Sequence, residues 1–428
     1  MLLPTRRLRR AYLRPLIQIT LALLILDAYL IVRNRPATAY PKRVSLRHPG
    51  NETFFIASIH RNNGPLLGGP WTENMLWLID YLGRDRVYFS AVESGSQDDT
   101  KAKLSALKEQ LDARGVPNTV VLGKTVQEQL EEIHDRPPAN ADAAPPPGWV
   151  WNAKEQHFDM RRISYLARER NLAMKPLEDL ASQQQQEGSP PPRKFDKVLW
   201  FNDVVFEPLE VSMLLDTRGG DFAAACSMDF TLWPYYYDTF ALRDDRGLKT
   251  ASWYWPWFHS SRARASAAAM QPVEVRSCWN GIVAFDAAPF YDNGDRPPLR
   301  FRAVDDSLAA LHLEGSECCL IHADNQLSRK KGVWLNPNVR VGYNEPVFEQ
   351  VRMDVFPTPK VAFVGVWANR YLRVRNSIQL TLERWMIERR VRRWVDETPA
   401  NGPPRSEPGE MCLINEMQIM WMNGWKHI

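Results

Sequence analysis

Between residues 54 and 122, short apolar runs alternate with segments of helical period, and that order leaves few folds open. Residues 54–58 read as a first strand. Residues 71–82 follow as a helix with Trp71, Met75, Leu78, Ile79 and Leu82 on one side. Residues 86–92 make a second strand, and Asp99 or Thr100 can cap the next helix, where Leu104, Leu107 and Leu111 recur at helical spacing. A third strand over 116–122 completes a β-α-β-α-β order. Such an order predicts an α/β fold with a largely parallel, right-handed, doubly wound sheet.

A helix over 160–180, with Ile163, Leu166, Leu172 and Leu177 on its apolar side, leads into KVLWFNDVVF at 197–206. The apolar run stops at Asn202 and Asp203 before Val204 resumes it. In open α/β sheets ligands gather at the carboxyl ends of the strands, so an acid there is placed to meet one. The same residues also suit an Asx turn after a core strand. Further on, residues 211–215 read as a short helix, 275–285 (VRSCWNGIVAF) as a strand with a turn at Asn280-Gly281, and 333–343 as a late strand. A basic amphipathic helix is expected over 378–395. The biased segments 135–150 and 182–193, rich in Pro and Ala or in Gln and Pro, read as insertions into one preserved core.

Composition excludes some classes. A formal charge of +4 and no dense basic face with interleaved aromatics argue against a nucleic-acid partner. The five cysteines show no C-x-x-C or Cys/His zinc spacing, and in an oxidising lumen one or two disulfides could form, two of them leaving one thiol over. Residues 16–32 form an apolar run broken by Gln18, Thr20 and Asp27, which reads as an uncleaved signal anchor after a tail of residues 1–15. A stem over 33–52 follows, with a sequon at Asn51-Glu52-Thr53. The alternatives of a cleaved signal peptide with a secreted lectin, or of a surface helix, stay open.

The loop VESGSQDDT and the RERNLA helix before the Asp203 strand resemble the corresponding parts of GT-A glycosyltransferases. The series FNDVVF, AACSMDF, YDTFALRD, VRSCWNGIVAF, RFR, SEC and NPNVRVGY, in that order, resembles the fungal cryptococcal mannosyltransferase family, glycosyltransferase family 69, which includes capsule-associated proteins. The resemblance implies a GT-A-like catalytic domain over 53–350 and a helical extension over 351–428. It further implies a single-pass type II Golgi membrane enzyme with a luminal body. That enzyme would move mannose with retention from GDP-mannose to a mannose-containing glycan acceptor, in α-1,3 linkage, using Mn2+ or Mg2+.

Asp203 then falls on the metal motif, with Asn202 in place of its first acid. One carboxylate with phosphates and waters can still hold such an ion. His322 is a second ligand candidate, though a lone His of this kind also suits a satisfied core group. His60, Asn62, Glu93, Arg170, Asn171 and Asn202 are expected on the donor. Trp279 and Trp255 are expected to stack on the acceptor sugar, although packing explains such tryptophans equally. Asp229, Asp238 and Glu317 are the acids expected near the reacting sugar, each of which also suits a structural ion pair or turn. Two rival readings remain: a non-catalytic family member that assists polysaccharide assembly, and a transferase using another nucleotide sugar.

Overall fold

The computed structural model describes residues 5–33, 50–139, 146–182, 193–292, 294, 296–352, 356–398, 402–422 and 424–428. Most of the expected stem and the middles of both expected insertions lie outside these residues, as do the first residues of the expected tail.

A ten-stranded mixed sheet organises the body, preceded in the chain by a first helix, α1 (Thr5–Arg33). The main strands are β1 (Phe54–His60), β2 (Val87–Glu93), β3 (Asn118–Leu122), β4 (Lys197–Phe201), β5 (Ala224–Leu232), β6 (Val273–Ser277), β7 (Ile282–Asp286) and β8 (Val333–Gly342). They lie in the order β3-β2-β1-β4-β7-β5-β8-β6, with Arg243–Asp244 beyond β6. Strands β3, β2, β1 and β4 run parallel, as do β5 and β8. β7 runs antiparallel between β4 and β5, and β6 antiparallel to β8. This is the doubly wound, mostly parallel α/β arrangement that the element order predicts.

Alternation along the strands sends side chains to two covered faces. Phe54 and Ile56 of β1 join Leu199 and Phe201 of β4 under three helices: α2 (Pro70–Leu82), α3 (Thr100–Ala113) and α5 (Pro208–Leu215). Their neighbours Phe55, Ala57, Val198 and Trp200 face α4 (Arg162–Ser182), which buries Ala173, Met174 and Leu177. Leu104, Leu107 and Leu111 are all buried, as their spacing required. The cap of α3 differs from expectation. Asp99 makes no side-chain cap bond, and Asp98 instead accepts from the Thr100 amide at 3.1 Å and hydroxyl at 2.5 Å.

The stretch expected over 275–285 as a strand with a turn at Asn280-Gly281 does turn there, but its two halves are β6 and β7, which are not neighbours in the sheet. The break between them contains Gly281 at φ +90°, where a β-carbon would run into Val341, so the chain can cross there only with a glycine. The basic helix, α6, is longer than expected, spanning Pro359–Asp396.

Beyond α6 the chain returns to the body. Leu413–Ile414 pair with Glu314–Gly315, and a hairpin is formed by Gln418–Trp421 and Gly424–His427. Disulfides join Cys226 to Cys278 and Cys319 to Cys412, leaving Cys318 as a buried thiol. Arg161 fastens the same region. Fully buried, it donates to both oxygens of buried Glu314 at 2.7 and 3.1 Å, to Asp306 at 2.5 Å and to the Val304 carbonyl at 3.0 Å.

Candidate functional site

β4 ends in the middle of the sheet, between β1 and β7, and its last turn places Asp203 in a wall shared by two cavities. The smaller, about 480 Å³, is lined by Asn62, Asn63, Pro65 and Leu66 from the loop after β1 and by Asn344 after β8. The larger, about 690 Å³, is lined by Arg170, Asp238, Trp279, Glu317 and residues of the C-terminal hairpin. Tyr343 shares the dividing wall with Asp203.

Asp203 accepts a hydrogen bond from the Asn63 side-chain amide at 2.9 Å. Burial raises its pKa, against the pull of Asn63 and the more distant Arg170 charge. Arg170 cannot neutralise it fully, because its own Nε is committed to Glu317 at 3.0 Å. The guanidinium is stacked over Trp279 and Trp200, 4.5 and 5.1 Å from the ring centroids. Arg170, expected on the donor, is buried and aimed into the cleft.

Asn202 does not act with Asp203 as a pair. Its Oδ1 accepts from the Trp279 indole at 2.9 Å and its carbonyl from the Trp71 indole at 3.2 Å. It fixes the ring that lines the larger cavity.

The acids divide by position. Asp238 and Glu317 line the larger cavity, whereas Asp229 is fully buried behind it. Asp229 accepts from the Asp238 amide and from the Tyr343 hydroxyl, both at 3.1 Å, so it holds two cleft residues in place. Asp238 in turn accepts from the amides of Phe240 and Ala241 at 3.1 and 3.0 Å.

Burial and the neighbouring Asp238 charge push Asp229 up to about 7. An unfolded aspartate titrates near ~3.9, so the folded chain holds this proton more tightly. That stabilisation is complete below the unfolded value and is lost as pH rises from about 4 through about 7. Asp229→Asn is expected to flatten the fall in melting temperature across that window and to raise the melting temperature at about pH 8. A variant that tracks wild type through the window would refute the assignment.

Several expected site residues lie elsewhere. His322 is buried beside the Cys226–Cys278 disulfide, its Nε2 bonded to the Cys278 carbonyl at 2.6 Å and its ring stacked on Phe285. Burial lowers it to about 4. It is not brought to Asp203, and the two sulfurs are bonded to each other, so no thiolate pair remains beside it. Trp255 offers its carbonyl to Asn369 of α6 and lines neither cavity. Asn171 clamps the Phe301 backbone through both ends of its amide, at 2.8 and 2.9 Å. His60 is buried edge-on to Trp71, with Nε2 3.0 Å from the Ser58 hydroxyl, and desolvation lowers it to about 4. Glu93 builds the turn after β2, accepting from the Ser96 amide at 2.7 Å and pairing with Lys101 at 3.4 Å. Asn62 does reach the smaller cavity, at φ +53° and accepting from the Gln97 amide at 2.8 Å.

Sequence reasoning missed Asn63, Tyr343, Tyr237, Arg162, Gln418 and Trp425, all of which line one cavity or the other. For Tyr343 a signal existed, since it follows the strand NPNVRVG as Asn202 follows KVLWF. For Gln418 and Trp425 the only clue was Cys412, whose partner the spacing does not disclose.

A family model described as cryptococcal mannosyltransferase 1 matches residues 53–324. The alpha-1,3-mannosyltransferase CMT1 of Cryptococcus neoformans var. neoformans is 24% identical over 303 residues. That match covers 66% of this chain and 56% of the relative, so the chain spans little more than half of that protein's length. Among solved structures, a Pyrobaculum calidifontis mannosyltransferase in complex with GDP-Man and Mn2+ aligns at a TM-score of 0.36 and 12% identity, covering 93% of this chain and 78% of that one. GalNAc-T7 with UDP, GalNAc and Mn2+ aligns at 0.35 and 10% identity, covering 68% and 43%. Scores this low transfer neither ligand nor reaction. The family match is of another kind: it runs from the residue before β1 to Asp324 and takes in Asp203, Asp229, Asp238 and Glu317, and the chain belongs to the cryptococcal mannosyltransferase 1 family.

Proposed function

We propose that this chain transfers mannose from GDP-mannose to a mannose-containing glycan, with retention and in α-1,3 linkage. The observation that carries the reading is the position of Asp203, at the end of a central strand in a wall between two adjoining cavities. Two cavities meeting at one acid suit a donor and an acceptor that must react across it. Family membership supports the transfer of mannose, and the 24% identical relative supports the linkage.

Asp203 suits a divalent cation. Among the described residues it is a desolvated carboxylate with the neutral Asn63 amide as its side-chain donor and no cation in contact, and hard oxygen ligands favour Mg2+ or Mn2+. Such an ion, with the nucleotide phosphates completing its shell, would neutralise the charge of the leaving diphosphate. Asn63 holds the carboxylate in place and Asn62 lines the smaller cavity, where the nucleotide would lie. Arg170 and Trp279 would face the sugar, with Asp238 and Glu317 as the acids nearest its reacting carbon. Asp229 acts through Asp238 and Tyr343 as a positioning residue.

The body would be luminal and tethered to the Golgi membrane by the helix of 22 residues from Tyr12 to Arg33. Two disulfides and an exposed Asn51 in its sequon support an oxidising compartment. A second reading, a protein that assists polysaccharide assembly without turnover, is favoured by one observation: Asn202 serves Trp279 and brings no second acid to the metal motif.

Melting the full chain with MnCl2 and GDP-mannose tests the first step, since a ligand of the folded state alone must stabilise it. The expected result is a rise in melting temperature with both components, and transfer to a short α-mannoside. A rise with a UDP-sugar and none with GDP-mannose would overturn the donor. Binding without transfer or donor hydrolysis under any divalent ion would favour the assisting role.

A further inference from the structure

Helix α6, Pro359–Asp396, has 38 residues and is therefore about 57 Å long. One face is fixed to the body. Ala362, Gly365, Asn369, Ile387, Val391 and Trp394 are buried, and Gly365 leaves no room for a β-carbon against the Trp255 carbonyl. Asn369 accepts from the Ser252 hydroxyl at 2.6 Å and donates to the Tyr254 and Trp255 carbonyls at 3.1 and 2.9 Å. Lys249 pairs with Glu383 at 2.6 Å.

A helix held in this way ordinarily turns a polar face outward. This one does the opposite. Val364, Tyr371, Val374, Ile378, Leu382 and Trp385 are between 46% and 69% exposed, and their spacing of three, four or seven residues lines them up as one stripe. Basic residues flank the stripe and cluster at its end: Lys360, Arg370, Arg375, Arg389, Arg392 and Arg393. Arg370 lies over Trp367 and Arg389 over Trp385, at 4.3 and 5.7 Å from the ring centroids. Trp253, in the loop gripped by Asn369, is 63% exposed.

The neighbour of this face says what covers it. Helix α1 contains the span Tyr12–Arg33, with a mean hydropathy of 2.1 and none of its window buried in the protein. Asp27, the acid that interrupts the span, pairs with Arg370 at 2.7 Å. An acid in a membrane span needs such a partner. Asp27 lies six residues before Arg33, about 9 Å from that end of the span, which puts Arg370 near bilayer-surface depth.

We propose that Pro359–Asp396 is an interfacial membrane helix, lying on the lipid surface beside the anchor, with its apolar stripe among the acyl chains and its arginines at the phosphates. An apolar face with arginine flanks and tryptophans at the water boundary is what such a surface recognises. The proposal rests on the membrane reading of Tyr12–Arg33, and the test separates the two.

Single cysteines are introduced as Leu23→Cys, Ile378→Cys, Leu382→Cys and Arg384→Cys and given an environment-sensitive fluorophore without denaturant, which leaves buried Cys318 unlabelled. The full chain is reconstituted into phosphatidylcholine–phosphatidylserine vesicles carrying nitroxide lipids. Quenching at 378 and 382 comparable to that at 23, with 384 on the helix flank left accessible to aqueous iodide, is the expected result. Quenching at 23 alone overturns the interfacial helix and keeps the anchor. Loss of quenching at all positions overturns both. Blue-shifted emission at 378 and 382 without lipid quenching means that protein, such as a second copy, covers the stripe, and also overturns the proposal.

Discussion

Asp203→Ala is expected to lower mannosyl transfer by roughly two to three orders of magnitude while the chain stays folded, the scale seen when one preorganised electrostatic group is removed from a reacting centre. Asp203 is the acid common to both cavities, and among the described residues Asn63 is the side chain that hydrogen-bonds it. Its pKa is raised by burial, so the folded state is disfavoured by this charge at neutral pH. A raised carboxyl pKa gives stability at low pH that fades as pH climbs. Asp203→Asn should therefore melt no lower than wild type at about pH 8, and higher if nothing else is lost. Loss of transfer with retained or increased stability is the mark of a site residue held at some cost to the fold. The same variants should lose the manganese-dependent part of the GDP-mannose melting shift. An unchanged transfer rate in Asp203→Ala would remove the basis for the proposed function.

Arg161→Met is expected to destabilise the chain by roughly 3–5 kcal/mol, with a fall in melting temperature on the order of 10 °C. Arg161 and Glu314 are both fully buried, and removing one leaves the other without its counter-charge. Asp306, a quarter exposed, can turn to water; Glu314 cannot. The stranded Glu314 will take up a proton more readily than in wild type, so the penalty should shrink as pH falls. The loss should also reach the cleft, because Glu314–Gly315 pairs with Leu413–Ile414 and is followed directly by Ser316 and Glu317. Denaturant unfolding at several pH values gives the measurement, and a pH-independent loss under about 1 kcal/mol would count against the buried triad.

Much of this was legible in the sequence because it depended on local pattern. The short apolar runs and the period-three-to-four repeats placed β1, β2, β3, β4 and their helices to within a few residues, and the strand-end rule pointed to Asp203, which the structure places in the wall of both cavities. What local pattern does not carry is which distant segments meet. VRSCWNGIVAF has the apolar character of one continuous strand, yet Val273–Ser277 and Ile282–Asp286 belong to different places in the sheet, since β5 and β8 come between them. His322 and Trp255 had the right chemistry for ligands, but burial and backbone partners use that chemistry for packing. Arg170 does line the larger cavity, but its burial comes from Trp200, Trp279, Phe301 and Glu317, none of them nearby in sequence, so helical pattern alone does not disclose it.

The pairing of Phe54 with Lys197 joins β1 to a strand 143 residues further along the chain. The β1-β2-β3 edge can pair through short crossovers, but the strand that carries Asp203 must be recruited across both expected insertions. Closing a longer loop adds only about 0.6 kcal/mol per doubling of length, so such insertions are thermodynamically cheap. Their effect is on time, because distant pairings slow folding. The two cavities can form only after β4 has docked against β1 and β7 against β4, which makes the site a late product of folding and leaves the apolar edge of β1 open to wrong partners until then.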